Sequence, residues 1–195
     1  MRLPWPAPMK TELFLPPLRP PESFETGRLF ARKPRAEDAS AVFAAYASSV
    51  LATRYLAWPP YTRVEALAEF LRGRNEAWEK ADGHYAYLLC LRDTDVPIGS
   101  IGVFIDEPKA MFGYVLGPAH WGFGYAAEAL KFLVDWTIAQ PRLRRAWAYC
   151  AAENSPSARV MEKAGLEREG VLRRWQVFPN LGPEPRDCVF YARVK

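Results

Sequence analysis

One stretch limits the possible folds more than any other. HWGFGYAAEAL, residues 120–130, joins an alternating strand-like run, FGYVL, to a long series of strong helix formers. Gly122 and Gly124 stand just before that helix, so the chain turns from strand to helix on bare backbone. The first amides of a helix have no internal acceptors, and its dipole places about half a positive charge there. Such a junction is either a tight corner or a cradle for an anion. Residues 119–130 hold no Lys or Arg, but backbone alone can hold a phosphate, so their absence leaves both readings open. A dinucleotide fingerprint, G-x-G-x-x-G, is excluded because Ala127 stands where its third glycine belongs.

Around this junction the hydrophobic period alternates between two and about 3.6 residues. RLFARKP reads as a first strand, AEDASAVFAAYAS as an alanine-rich helix opened by acidic residues, and TRVEALAEFLRGRNEAWEKA as a second helix that Thr62 can cap. Val64, Leu67, Ala68, Leu71 and Trp78 share a face of that second helix. YAYLLCLR, VPIGSIGVFI and AMFGYVL read as three successive strands. The helix after the glycines runs from Tyr125 to about Ala139, with Ala126, Leu130, Leu133 and Thr137 inward. RAWAYCA is a strand, and SPSARVMEKAGL a short helix with Ser155 as cap, Pro156 at its first position and Gly165 as its stop. EREGVLRRWQVF and DCVFYARV complete the order. It predicts an α/β fold with a mixed sheet and helices on both faces.

A chain of 195 residues suits one well-buried domain, expected over residues 26–195. Residues 1–25 contain seven prolines and read as an extended arm or leader. Lys and Arg exceed Asp and Glu by four, a mild excess that fits an anionic ligand, but their scatter argues against nucleic acid. Cys90, Cys150 and Cys188 lie far apart in apolar contexts, which suits buried thiols in a reducing cytoplasm rather than disulfides. His84 and His120 lack companion ligands, so no metal site is expected. The proline-broken start is unlike a signal peptide, and no run is apolar enough to span a membrane, so a cytoplasmic protein is expected.

GYVLGPAHWGFGYAAEAL, followed after one strand by AENSPSARVMEKAGLEREGVLRR, resembles the GNAT N-acetyltransferase superfamily. The likeness runs from about residue 25 to residue 194 and is narrower to the Rim-type branch, whose best-known members acetylate the N-terminal amines of ribosomal proteins. It implies a central mixed, mostly antiparallel sheet and acetyl-CoA as acyl donor. The family's pyrophosphate loop then falls on Trp121, Gly122, Phe123, Gly124, Tyr125 and Ala126. Trp121 departs from the wider superfamily but is usual in the Rim-type branch, and Phe123 stands where many relatives carry Lys or Arg. Val115 and Leu116 would pair with the pantetheine arm, Asn154 would bond it, and Ser157 would protonate the leaving thiolate. A splay between the strands AMFGYVL and RAWAYCA would hold the acyl group.

Each of these residues also has a purely structural reading. Asn154, Ser155 and Ser157 can cap the short helix, and Glu128 can satisfy backbone or an ion pair. Trp58, Tyr61 and Trp175 can line an acceptor cleft or simply pack. The positions where relatives place a carboxylate base hold Met111 and Gln176, neither of which can take a proton; Asp106, Glu107 or a water chain is left for that task. Freeing a lysine amine at pH 7 costs about 4.6 kcal/mol and an α-amine about 1, so a missing base leans towards a low-pKa amine. The resulting expectation is an acetyl-CoA-dependent N-acetyltransferase, monomeric or homodimeric, acting on a protein N-terminal α-amine or a small-molecule amine. Its rivals are a non-catalytic acyl-CoA sensor and a transferase of a larger acyl group such as succinyl.

Overall fold

The computed structural model describes residues 16–195, so Trp5, Leu13, Phe14 and Leu15 of the expected arm lie outside the described residues. Eight strands form one sheet in the order β1-β2-β3-β4-β5-β6-β8-β7. They are β1 (Ser23–Glu25), β2 (Leu29–Arg32), β3 (His84–Leu91), β4 (Pro97–Asp106), β5 (Lys109–Leu116), β6 (Arg145–Ala151), β7 (Glu167–Val177) and β8 (Pro185–Val194). Every neighbouring pair is antiparallel except β5 and β6. The expected mixed, mostly antiparallel sheet is therefore what forms.

Side chains along a strand alternate between faces, and β4 shows how this divides the core. Ile101 and Val103 turn towards α4 (Tyr125–Ala139), whose Leu130, Leu133 and Val134 are fully buried against them. Each such side chain contributes about 1.5–3 kcal/mol through burial. On the opposite face α1 (Ala39–Val42), α2 (Val50–Thr53) and α3 (Val64–Lys80) cover the sheet, where Val42, Tyr46, Leu67 and Leu71 pack with Leu88 and Val115. α5 (Ser155–Lys163) lies beside α4 over β6, β7 and β8.

Several local expectations give way. The alanine-rich helix is not continuous: a 3-10 turn at Ala36–Asp38 leads into α1, and Phe43–Ala47 is a π-helix. Both the amide and the hydroxyl of Ser48 bond to the Phe43 carbonyl, which widens that last turn. Arg63, not Thr62, is the N-cap of α3, and no side chain caps that end. Asn154, not Ser155, caps α5; Pro156 then sits one position deeper, which helix geometry tolerates because that amide is also an orphan. The segment read as an arm ends in β1, and Phe24 is buried there on Tyr87 and Phe132. The Tyr85 and Tyr87 hydroxyls donate to the carbonyls of Leu18 and Pro21.

Candidate active site

β5 and β6 pair only from Lys109 with Arg145 to Met111 with Trp147. Beyond Met111 the strands part, and β5 runs on to Leu116 paired with β4. α4 packs across both sides of this gap. The splay implied by the family resemblance is thus a feature of the sheet itself.

The glycine junction lies at the open end of the gap. Gly122 and Gly124 both have φ of +84°, a conformation in which side-chain-bearing residues are strained by about 1–2 kcal/mol. A Cβ on Gly122 would meet nothing within 4 Å, so the left-handed turn there leaves open space over the backbone. Among the described residues, Glu128 is the first amide of α4 to find a protein acceptor, the Gly124 carbonyl at 3.0 Å. The amides of residues 122–127 form a row with no acceptor among the described residues. Trp121 anchors the loop through its indole N–H, which donates to the Leu116 carbonyl at 2.9 Å. A carbonyl has two lone pairs, so Leu116 keeps a second acceptor site.

The loop has a basic side chain after all, brought from another part of the chain. Arg28 donates from Nη1 to the Phe123 carbonyl at 2.9 Å and from Nε to Glu128 Oε2 at 2.8 Å. Its guanidinium also lies over the Tyr125 ring, 4.7 Å from the centroid. Glu128 accepts in addition from the Thr26 hydroxyl and the Arg28 amide. Glu128 is therefore an ion-pair and backbone anchor, as its structural reading anticipates. Burial raises its carboxyl pKa, but the hydrogen bonds from Thr26 and Arg28 outweigh burial and hold it below 4.5. Sequence reasoning misses Arg28, because its partners Phe123 and Glu128 lie about a hundred residues further along the chain.

Across the gap stands a pair of hydroxyls. Ser157 Oγ and the Tyr114 hydroxyl are 2.8 Å apart, and the Tyr114 hydroxyl is also 3.0 Å from the Ser157 carbonyl. Ser157 is thus not a capping hydroxyl; only its amide enters the cap, donating to Asn154 Oδ1 at 3.3 Å. With Oδ1 used as cap, the Asn154 amide N–H groups have no partner among the described residues. Burial pushes the Tyr114 phenol well above its ordinary range, so it acts as a donor and never as a phenolate.

The positions expected of a base hold no carboxylate. Met111 borders the sheet beside His84 and Phe104, and Gln176 is engaged with Tyr149 and the Val177 carbonyl. Glu107 is held by Arg142 and Asp106 lies 3.3 Å from Lys109, both at the hairpin end of β5 that is remote from the gap. All three thiols are buried and free, and burial raises each to about 11, which leaves them unreactive. Among the described residues no group of His, Cys, Asp or Glu is arranged to hold a metal ion. No helix there is long and apolar enough to cross a membrane.

On the sheet face opposite α4, a cavity of about 230 Å³ opens beside β5 between α1, α3 and the segment that joins α2 to α3. Trp58 and Tyr61 meet in its wall at 5.6 Å, while Trp175 lies elsewhere, half-exposed on β7 against Phe190.

Comparison with known proteins identifies this arrangement. The acetyltransferase (GNAT) domain family matches residues 28–167. An uncharacterized N-acetyltransferase, p20, of Bacillus licheniformis is 32% identical over 158 residues, covering 80% of this chain and 88% of the relative. A crystal structure of a GNAT-family acetyltransferase from Bacillus anthracis superposes with a TM-score of 0.75 at 28% identity, over 88% of this chain and 98% of that one. RimL, a ribosomal L7/L12 alpha-N-protein acetyltransferase solved with coenzyme A, shares the fold with a TM-score of 0.74 at 21% identity, over 89% and 98% of the two chains. By class the protein is an acyl-CoA N-acyltransferase. It belongs to the GNAT acetyltransferase family.

Proposed function

We propose that the protein moves an acetyl group from acetyl-CoA to a primary amine, a protein N-terminal α-amine or a small-molecule amine, by direct attack in a ternary complex. The row of unpartnered amides at residues 122–127, beside the gap between β5 and β6, supports this reading best. The donor's pyrophosphate rests on the amides of Gly122 to Ala126, in the positive end of the α4 dipole. Its pantetheine arm runs along β5 at Val115 and Leu116 and accepts from Asn154, which places the thioester in the gap beside Ser157. RimL, solved with coenzyme A, supports the choice of donor.

In the transfer step the neutral amine nitrogen bonds to the acetyl carbon and the carbon–sulfur bond breaks, its electrons leaving with sulfur. Ser157 Oγ gives its proton to the thiolate and is reprotonated from water. The surplus proton of the amine leaves to water. Since Met111 and Gln176 stand at the two positions expected of a base and Glu128 is tied up by Arg28 and Thr26, the amine must arrive uncharged, which favours acceptors of low pKa. Titration calorimetry with acetyl-CoA tests the donor half: no heat of binding at millimolar ligand overturns it. Thiol release from acetyl-CoA over a panel of amines tests the transfer.

A further inference from the structure

The cavity beside β5 has an unusual floor. Ala86, Gly102 and Gly113 lie side by side across β3, β4 and β5 on the face covered by α1, α2 and α3. Glycine within a strand weakens it, and two in register on adjacent strands make room for something. A Cβ on Gly113 would meet nothing within 4 Å and would enter open space. Above this floor the walls are aromatic and aliphatic: Tyr46, Trp58, Tyr61, Phe70, Leu67 and Leu71. At about 230 Å³ the space is smaller than the sites that hold drug-sized ligands.

Its charge is equally specific. The residues lining it include no Asp, Glu, Lys or His, and Arg74 is the one charged side chain among them. Arg74 Nε is buried without a hydrogen-bond partner among the described residues, and its guanidinium rests 5.3 Å from the centre of the Phe70 ring. The rest of Arg74 is only partly buried, but a buried N–H donor with no acceptor costs free energy that a bound anion would recover. Arg74 also borders the adjoining hollow beside His84 and Phe104, which has no acidic residue either.

We propose that this cavity is the acceptor site and that it selects a small amino-carboxylate with an apolar, aromatic-sized body, its carboxylate paired with Arg74. The inference rests on the acetyl-transfer reading above. It also accounts for the missing base. A cation beside the acceptor disfavours its ammonium form, and pairing the carboxylate removes the charge that would otherwise stabilise that ammonium. Polyamines and other acceptors with a second positive charge meet a cation and no carboxylate, so the cavity rejects them.

The test separates acceptor from donor. Binding of phenylalanine, phenethylamine and spermidine is measured by calorimetry without acetyl-CoA, and acetyl transfer to each is followed separately, with a short peptide bearing a free N-terminus included. Phenylalanine is expected to bind at least tenfold tighter than phenethylamine, with spermidine not binding. Arg74→Met is expected to abolish that preference while leaving phenethylamine within about twofold. Gly113→Val is expected to weaken phenylalanine at least tenfold and leave coenzyme A affinity unchanged. An equal affinity for phenylalanine and phenethylamine, a preference that survives Arg74→Met, or transfer to spermidine or the peptide in excess of phenylalanine overturns the proposal. Failure to bind coenzyme A would instead overturn the donor reading.

Discussion

Replacing Gly122 by Ala separates a corner from a cradle. At a φ of +84° the added methyl strains the backbone by about 1–2 kcal/mol. It meets no atom within 4 Å, so nothing else in the fold opposes it. For a domain of this size that strain lowers the melting temperature by about 2–8 °C. If the amides of residues 122–126 hold the pyrophosphate, the same methyl stands where the phosphate approaches. Losing one charge-assisted hydrogen bond removes about 1.5–3 kcal/mol of binding, a weakening of roughly 10- to 150-fold. Thermal melting and titration calorimetry with coenzyme A read the two effects on one sample. A folded Gly122→Ala protein that keeps coenzyme A affinity within about twofold of wild type refutes the placement. Gly99→Ala is a useful contrast, since its Cβ would lie 2.4 Å from the Val115 carbonyl and from a Leu116 methyl, and that variant is expected to lose the fold.

Phe123 is exposed and stacks on Tyr125, so Phe123→Lys adds charge without opening the core, and coenzyme A should bind about fivefold tighter at low salt, with the gain lost at high salt. Ser157→Ala should lower kcat about 10- to 100-fold with the donor KM within twofold, and Tyr114→Phe should lower it less; a change in KM alone would assign the pair to binding. Because the Glu128 carboxyl is held below 4.5, its contribution is complete above pH 4.5 and drains as the pH falls through the lowered value. Glu128→Gln should cost about 1–2 kcal/mol at pH 7 and flatten that acid limb in pH-dependent denaturation.

What the sequence reveals depends on how local its causes are. α4 is legible to the residue, because a 3.6-residue apolar period starts just after a glycine that only a left-handed turn requires. β6 is legible as a short β-favouring run between turns. The segment 36–47 is misread as one helix, since alanine favours any helical form and the choice of a π-turn rests on Ser48 reaching back to Phe43. Caps are misplaced by one residue at both helices: Asn154 and Ser155 are both capping types and only the dihedral angles choose, while α3 starts after Arg63 with no side-chain cap at all. β1 hides because three residues cannot display a period and its surroundings are proline-rich. Arg28 is illegible because its partners come from tertiary contact, and Arg74 because the cavity it lines is built mostly by other elements. The strand glycines Gly102 and Gly113 were the available signal for the cavity, since glycine inside a strand marks a close approach or a space.

The parting of β5 from β6 has a mechanical meaning. The sheet is two half-sheets stitched by three residue pairs and bridged by α4. On the reading proposed above, a donor threaded between them would replace missing rungs of the ladder, so part of the molecule's cohesion would come from its own substrate. Saturation at a hundredfold over Kd adds about 2.7 kcal/mol to the folded state. On that reading the concentration of acetyl-CoA around the protein would set how firmly its two halves hold together, making durability a readout of metabolic supply.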